Sequence, residues 1–179
     1  FQLPNTTQGL AGFWDINGDG DYQPDEGDYP IIEIRGCLDT EPQSNPDEMM
    51  FWIYNDAGND HRQTSSPNKI QMEVQVQAFA YQTNDDINSM TFQRYKLINR
   101  AIEQIDSTYF AMWVDPDLGC YTDDYVGCDV GRSLAYVYNA DQLDGTNGCT
   151  CDQGINTYCD EVPILGVDYF RGPLNEVGE

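Results

Sequence analysis

The acidic stretch DINGDGDYQPDEGDYP, from Asp15 to Pro30, has the residue types and the spacing that could bind a metal ion. From Asp15 to Glu26 it follows the calcium-loop pattern D-x-D/N-x-D/N-G, then five residues and Glu. Calcium takes six to eight oxygen ligands at about 2.3–2.6 Å, and this spacing allows one short loop to supply them. The predicted ligands are Asp15, Asn17, Asp19, the backbone carbonyl of Asp21, Gln23 through a water molecule, and Glu26 with both oxygens. The alternative is a solvated turn rich in Asn, Asp and Gly.

The residues that flank this acidic loop (Asp15–Glu26) exclude the helix-loop-helix arrangement of a calcium sensor. Gly27 follows Glu26 at once and Pro30 follows soon after, so an exiting helix cannot form. Pro24 inside the loop also departs from the sensor pattern. We therefore expect the loop to clamp a fixed structure, with the Kd of an extracellular calcium module, about 10⁻⁴–10⁻³ M.

A second acidic segment, DPDLGCYTDDYVGCD, is a further candidate for calcium binding. Carboxylates that lie close together repel one another unless a cation neutralises them. No fixed ligand spacing is met here, so a solvated loop remains the alternative. The candidate ligands are Asp115, Asp117, Asp123, Asp124 and Asp129.

The six cysteines form an even set, which in a chain of this composition indicates disulfides and an extracellular location. They are Cys37, Cys120, Cys128, Cys149, Cys151 and Cys159. We predict a local Cys120–Cys128 bridge and one bridge within the last three cysteines. The alternative is a thiolate metal site on the last three, with His61 as the one available imidazole.

Catalytic motifs are missing from the sequence. It contains no GxSxG, HExxH, P-loop or GxGxxG pattern, and its sole histidine, His61, lies in a polar stretch. A Ser/His or Cys/His pair is therefore not expected, and the chain is not predicted to be an enzyme. Trp14, Trp52 and Trp113 could form a platform for sugar rings, although packing in the core or on a sheet is the simpler interpretation.

The net charge of −23, from 31 acidic and 8 basic residues, limits the classes of partner. Such a field repels phosphate backbones and anionic lipid, so nucleic acid and membrane surfaces are poor candidates for partners. No run of apolar residues approaches the length of about 20 that a membrane helix needs. The charge suits multivalent cations or cationic partners.

The elements that must position these loops are β-strands. IQMEVQVQAFAY (Ile70–Tyr81) alternates apolar and polar residues, which predicts a half-buried antiparallel strand. STYFAMWV (Ser107–Val114) is apolar on both faces, which predicts a central strand. Further strands are predicted in MMFWIYN, MTFQRYKLIN, SLAYVYN and ILGVDYF, and short helices near Leu10–Trp14 and Ala101–Ile105.

Strands separated by turn-rich loops predict an all-β fold, an antiparallel β-sandwich resembling a jelly roll, with long calcium-binding and disulfide-bearing loops. We expect an N-terminal segment, residues 1–30, that carries the acidic loop. Residues 31–179 then form the β-sandwich, and the whole chain is one compact unit.

The order of several blocks resembles a segment of large secreted surface proteins of Bacteroidota. These blocks are DINGDGDYQPDEGDYP, FWIYNDAGN, VQVQAFAYQTNDDINSMTFQRYKLINR, WVDPDLG with DDYVGCD, and GVDYFRGP. Proteins of that group typically end in a type IX secretion sorting domain, which this sequence does not contain. The resemblance implies an exported, cell-surface or released protein with bound calcium, and it does not imply an enzyme.

These observations together predict a non-enzymatic, calcium-stabilised structural or adhesive domain of a larger extracellular protein. Its partners would be other domains of the same polypeptide, cell-surface proteins or glycans, with self-association also open. Two alternatives remain. One is a carbohydrate-binding module or a fragment of a glycan-degrading enzyme, and the other is a subunit of a self-assembling filament or sheath.

Overall fold

The computed structural model describes residues 11–34, 37–38, 45–58, 68–146, 148–152 and 155–172. The chain forms two compact units, Phe1–Thr108 and Tyr109–Glu179. This division differs from the predicted one, which separated residues 1–30 from a single sandwich. The Ile31 N–H donates to Gly12 O at 3.0 Å, and the Gln77 amide donates to Ile31 O at 3.1 Å. These bonds join the strands that flank the acidic loop to the main sheet of the first unit.

The described strands of the first unit are all antiparallel. Two short ribbons are formed by β1 (Phe13–Trp14) with β2 (Tyr29–Pro30), and by β3 (Glu33–Ile34) with β4 (Cys37–Leu38). The main sheet is a meander of β5 (Glu48–Asn55), β6 (Met72–Ala80) and β7 (Thr91–Asn99), with β6 in the centre. The strands predicted at 49–55, 70–81 and 90–99 are confirmed to within two residues at each end.

Both faces of β6 are buried, whereas the sequence predicted that its polar face meets solvent. Val76 is fully buried on the apolar face. On the other face, Glu73 and Gln77 are each only 3% exposed. Their polar groups are paired: the Gln77 amide bonds to Ile31 O, and Glu73 accepts two hydrogen bonds from Arg100 at 3.0 and 3.1 Å. A polar face can be buried here because each of these side chains has a partner.

The two predicted short helices are wrong. Within the described part of Leu10–Trp14, residues Phe13–Trp14 form β1, because pairing with β2 closes the acidic loop. At Ala101–Ile105 the chain bends without forming a helix. The Asn99 side chain accepts the Ala101 N–H at 2.9 Å and donates to Glu103 O at 2.9 Å. Such local side-chain bonds compete with helical hydrogen bonds.

The second unit contains a three-stranded antiparallel meander with β9 in the centre. Its strands are β8 (Asp124–Asp129), β9 (Leu134–Asn139) and β10 (Ile164–Asp168). The strands predicted at 133–139 and 164–170 are confirmed, and β8 was not predicted as a strand. Two disulfides lie in this unit, Cys120–Cys149 and Cys151–Cys159. Disulfides are typical of proteins from oxidising compartments.

The central strand predicted in Ser107–Val114 is wrong. The segment has no strand structure, and Tyr109 and Trp113 are 94% and 88% exposed. A strand needs a neighbour with which to share its backbone hydrogen bonds. No described strand pairs with this segment, which contains the boundary between the two units and begins at Ser107 with a left-handed φ of 53°.

The predicted all-β class is confirmed: every described strand pair is antiparallel, and the helical turns in the described ranges are short 3-10 helices. No helix in the described ranges has the length and apolar character needed to cross a membrane.

Candidate metal sites

The acidic loop lies between β1 and β2, and their pairing holds its two ends together. Phe13 is opposite Pro30 and Trp14 is opposite Tyr29 in the antiparallel register. The Trp14 and Tyr29 rings stack with their centroids 6.4 Å apart. The sequence between these paired residues is therefore forced into a closed loop, as the calcium-loop prediction requires.

Asp15, at the first position of the loop, binds the backbone that follows it. Its Oδ1 accepts the Gly18 N–H at 2.6 Å, and its Oδ2 accepts the Gly20 N–H at 2.7 Å. Gly18 and Gly20 have left-handed φ values of 76° and 84°, which glycine adopts without steric cost. The Gly20 N–H is the main cause that holds the pKa of Asp15 below its ordinary value, because the bond favours the charged carboxylate.

Four further side chains of the predicted ligand set converge inside the loop. The Asn17 amide donates to Asp19 Oδ2 and to Glu26 Oε2, both at 3.0 Å. The Gln23 amide donates to the same oxygen of Asp19 at 2.7 Å. The Asn17 amide thus lies between two carboxylates that would otherwise repel each other, and the Gln23 amide adds a second donor to Asp19. The structure brings Asn17, Asp19, Gln23 and Glu26 together as the sequence pattern predicts.

The remaining predicted ligand, the carbonyl of Asp21, stays a prediction. The described contact of Asp21 is its backbone N–H, which donates to Asp19 Oδ1 at 2.8 Å. This bond turns the chain around Asp19. It places Asp21 next to the converging side chains, in the order that the pattern assigns to it.

The loop ends on a 3-10 helix, Pro24–Glu26, rather than on an α-helix. Gly27 closes this turn with a left-handed φ of 108° and donates to Pro24 O at 3.2 Å. The predicted lack of an exiting α-helix is confirmed. A loop with this exit lacks the helix that a calcium sensor moves.

Asp28 is a structural residue of this loop that the sequence interpretation missed. It is 4% exposed, and its two oxygens accept the N–H groups of Ile16 at 3.0 Å and of Gln23 at 2.7 Å. Asp28 therefore ties the start of the loop to its later half. The sequence signal for Asp28 was an acidic residue directly before a strand. Asp28 was missed because the twelve-residue calcium-loop pattern ends at Glu26.

The five acidic residues of the second candidate are not all brought together. Asp115 and Asp117 lie in an exposed segment, and Asp129 lies at the far end of β8, where it pairs with Arg132 at 3.2 Å. An extended strand of this length separates its two ends by roughly 17 Å. Only Asp123 and Asp124 lie at the start of β8, where they meet residues from the end of β9 and the loop that follows it.

The predicted Cys120–Cys128 bridge is wrong. Cys120 bonds to Cys149, with Cα atoms 6.0 Å apart, and Cys128 is an exposed free thiol. Cys128 is the fifth residue of β8, so the extended strand carries it about 13 Å from the strand's start. A disulfide needs Cα atoms within about 7 Å of each other.

The predicted bridge within the last three cysteines is confirmed as Cys151–Cys159, with Cα atoms 5.2 Å apart. Because Cys149, Cys151 and Cys159 are all in disulfides, they offer no thiolate to a metal ion. The Cys37 side chain and His61 lie outside the described residues. The thiolate metal site is therefore not formed by the three cysteines on which it was built.

Among the described residues, one group of three metal-ligand atoms from His, Cys, Asp or Glu lies within 4.8 Å of one another: Cys120, Asp123 and Asp144. Cys120 contributes a disulfide sulfur to it. Asp144 is fully buried and accepts the N–H groups of Cys120, at 2.9 Å, and of Tyr158. The Asp144 carboxylate thus holds two chain segments together. Of the three residues, Asp123 has a buried side-chain oxygen, Oδ1, without a hydrogen-bond partner.

No protein-family model, no curated protein and no solved structure matches this chain significantly.

Proposed function

We propose that this chain is a non-enzymatic, calcium-stabilised structural or adhesive domain of a larger extracellular or cell-surface protein. The observation that carries the proposal is the convergence of Asn17, Asp19, Gln23 and Glu26 inside a loop whose ends are paired by β1 and β2. Two disulfides support an oxidising, extracellular location. The resemblance to secreted surface proteins of Bacteroidota supports the same assignment.

The donor atoms of the loop fit calcium, because carboxylate and amide oxygens are the hard ligands that this ion takes. Asn17 and Gln23 now direct their N–H groups at the carboxylates of Asp19 and Glu26. The terminal torsion of an amide is broad and nearly two-fold, so both amides can turn their oxygens inward at little cost. The loop can therefore exchange internal amide donors for an ion without a change in its backbone.

Calcium binding stabilises only the folded loop, so its contribution follows the ratio of ion concentration to Kd. With a Kd of about 10⁻⁴–10⁻³ M, about 10 mM calcium adds about 1.4 to 2.7 kcal/mol to the free energy of unfolding. A fixed loop of this kind, on a chain with a net charge of −23, suits scaffolding outside the cell, where calcium is abundant. It does not suit signalling, because the loop ends on a short 3-10 helix and not on an α-helix that could move.

Calorimetric melting of the chain with CaCl2 and with EDTA tests the proposal. We expect a lower melting temperature in EDTA, and Asp19→Ala should remove most of this difference because Asp19 accepts from both converging amides. Asp25→Ala is the matched control, since Asp25 is exposed, lies in the same loop and is not a predicted ligand. Equal melting of the wild type in both buffers, with no calcium found by elemental analysis, would contradict the proposal.

A second candidate function, glycan binding, is favoured by an aromatic face on the β5–β6–β7 sheet. Trp52 lies opposite Val76, and Val76 lies opposite Tyr95, so all three share one face. Trp52 and Tyr95 are 41% and 39% exposed, and Tyr54 on the same face is 49% exposed. Neighbouring exposed rings offer a surface against which sugar rings stack.

Retention on cellulose, chitin and alginate distinguishes this second function from the first. Specific retention should be lost in Trp52→Ala and kept in Trp113→Ala, which removes an exposed tryptophan outside the sheet. No retention on any of the three glycans, or equal loss in both variants, would reject the aromatic face as a glycan site.

A further inference from the structure

Three buried side-chain oxygens at one end of the β8–β9 pair have no hydrogen-bond partner. Among the described residues these atoms are Asp123 Oδ1, Asp124 Oδ1 and Asn139 Oδ1. Asp123 is 2% exposed and Asn139 is 8% exposed. Buried polar atoms in folded proteins are almost always hydrogen-bonded, so three unpaired acceptors at one place require an explanation.

The strand register places Asp124 and Asn139 side by side, and Asp123 directly precedes this strand. Asp124 and Asn139 are directly opposite in the antiparallel pair, so their side chains leave the same face with Cβ atoms about 5 Å apart. Asp123 precedes Asp124, and its carbonyl accepts the Ala140 N–H at 2.8 Å, which continues the ladder by one residue. The unpaired oxygens therefore come from adjacent positions and not from separate parts of the unit.

Each of these side chains is held in place by its other polar atom. Asp124 Oδ2 accepts the Leu118 N–H at 2.8 Å, and the Asn139 amide donates to Asp141 O at 3.1 Å. The Thr146 hydroxyl contacts Asp123 Oδ2 at 3.4 Å.

The same Thr146 hydroxyl contacts Asp141 Oδ2 at 3.0 Å, so Asp123 is connected to Asp141 and, through it, to Asn139. At this end of the β8–β9 pair, three side chains thus each retain one unused oxygen. Several oxygens at one place are what a bound ion requires of its ligands.

Among the described residues, no ion pair joins a basic residue to Asp123 or Asp124. From Tyr109 to the end of the sequence the only basic residues are Arg132 and Arg171, and Arg132 pairs with Asp129 at the far end of β8. Burying a carboxylate without a cation to balance its charge costs free energy. One water molecule has two hydrogens to donate, so it would leave one acceptor unpaired and the negative charge in place.

We propose that Asp123, Asp124 and Asn139 bind a calcium ion through these three oxygens. Oxygen ligands in a site open on one side suit calcium, which accepts irregular geometry and completes its shell with water. Zinc prefers nitrogen and sulfur ligands, and the nearby sulfurs of Cys120 and Cys149 form a disulfide with each other. This site lies in the second unit and does not depend on the acidic loop.

The proposed site differs from the second site predicted from the sequence. It omits Asp115, Asp117 and Asp129 and adds Asn139, which sequence spacing could not connect to Asp124 because fifteen residues separate them. An ion here would join the start of β8 to the end of β9. It would also support the turn that presents Cys120 to Cys149, because the Cys120 sulfur lies 3.5 Å from Thr146 O.

Calcium titration calorimetry and native mass spectrometry of the whole chain in the Asp19→Ala background test the proposal. This background weakens the acidic loop, so one calcium ion per chain should remain. Asp124→Asn and Asn139→Ala should each raise the calcium Kd at least about tenfold, because each removes one of few protein ligands. Asp129→Asn, on the same strand, is the matched control and should leave the Kd unchanged.

Asn139→Asp separates ion binding from a purely structural role. It keeps an oxygen at the site and adds a negative charge, so calcium binding should be kept or strengthened. The same variant should melt at a lower temperature than its parent in EDTA, because a third carboxylate then meets Asp123 and Asp124 without an ion. Calcium should restore most of that loss.

The proposal is overturned if the Asp19→Ala chain binds no calcium, or if Asp124→Asn binds it as tightly as Asp129→Asn does. It is also overturned if calcium fails to rescue Asn139→Asp. If wild type and Asp19→Ala bind the same single ion, the acidic loop fails as a calcium site and this site stands. The experiment can therefore contradict the acidic-loop site and the β8–β9 site independently of each other.

Discussion

The Asp28 carboxylate accepts the backbone N–H of Ile16 at 3.0 Å, although twelve residues separate the two. Its other oxygen accepts the N–H of Gln23 at 2.7 Å. A single buried side chain thus satisfies two backbone donors on opposite sides of the acidic loop. No basic residue takes part in these bonds, so the loop geometry depends on the carboxylate and the backbone alone.

Replacement of Asp28 should loosen the acidic loop even though Asp28 is not a predicted calcium ligand. Asp28→Ala leaves two N–H groups without their acceptor, which should lower the free energy of unfolding by about 1–3 kcal/mol. It should also weaken calcium binding by the loop, because Ile16 and Gln23 are no longer tied together. Urea denaturation and calcium titration measure the two effects. Asp25→Ala should change neither, and equal effects in both variants would contradict this role.

Acidification should release the loop at a pH below the ordinary pKa of Asp15. The Gly20 N–H lowers that pKa from 3.8, so the stability that Asp15 contributes is complete above pH 3.8. It is lost as the pH falls further, through the lowered pKa of the folded state. The chemical shift of the Gly20 amide in NMR spectra should follow this titration, and Asp15→Asn should abolish it. A midpoint at or above 3.8 would show that the Asp15–Gly20 bond does not persist in solution.

The strands and the acidic loop were predictable because their signals are local. Alternation along Ile70–Tyr81 follows the two-residue repeat of a strand, and the loop pattern fixes its ligands by position within one short segment. The structure departs from prediction where a residue's state depends on a distant partner. The buried Gln77 amide donates to Ile31 O, and no local pattern links these two residues.

In the second unit, too, the prediction fails where a residue's structure depends on a distant partner. Asp and Gly are uncommon in strands, so the sequence of β8 suggested a loop, whereas its backbone is fixed by pairing with β9. Ser107–Val114 has high strand propensity but no described strand pairs with it, so it stays irregular. Asn139 was missed as a candidate ligand because only the strand register places it beside Asp124.

The ion pair of Glu73 with Arg100 should control the stability of the main sheet. The Glu73 side chain is 4% exposed and accepts two bonds from the guanidinium, whose side chain is 44% exposed. Arg100→Met leaves a buried carboxylate without a cation, so it should lower the melting temperature clearly more than Arg100→Lys, which keeps the charge. Calorimetry measures both, and equal melting of Arg100→Met and wild type would contradict the prediction.

The Glu73–Arg100 ion pair also predicts that the free energy of unfolding depends on pH. Hydrogen bonding to Arg100 lowers the pKa of Glu73 from 4.5, so the stabilisation is complete above pH 4.5 and is lost as the pH falls through the lowered pKa. In Arg100→Met the partner that lowers the pKa is missing. The difference in stability between wild type and this variant should therefore shrink between neutral pH and pH 3.

The two disulfides should contribute unequally, because they close loops of different length. Cys120–Cys149 spans 29 residues and Cys151–Cys159 spans 8. The loss of loop-closure entropy in the unfolded chain amounts to about 3–4 kcal/mol for the first and about 2–3 kcal/mol for the second. Double serine variants of each pair should lose stability in that order in urea denaturation. Cys128→Ser should lose none, because that thiol is exposed and unpaired.

Peptide mapping of the native chain checks the connectivity on which this order depends. Maleimide added without reductant should label Cys128, and digestion should yield peptides cross-linked through Cys120–Cys149 and Cys151–Cys159. A peptide joined through Cys120–Cys128 would contradict the structure. It would also remove the expected difference between the serine variants, because that bridge closes a loop as short as the one between Cys151 and Cys159.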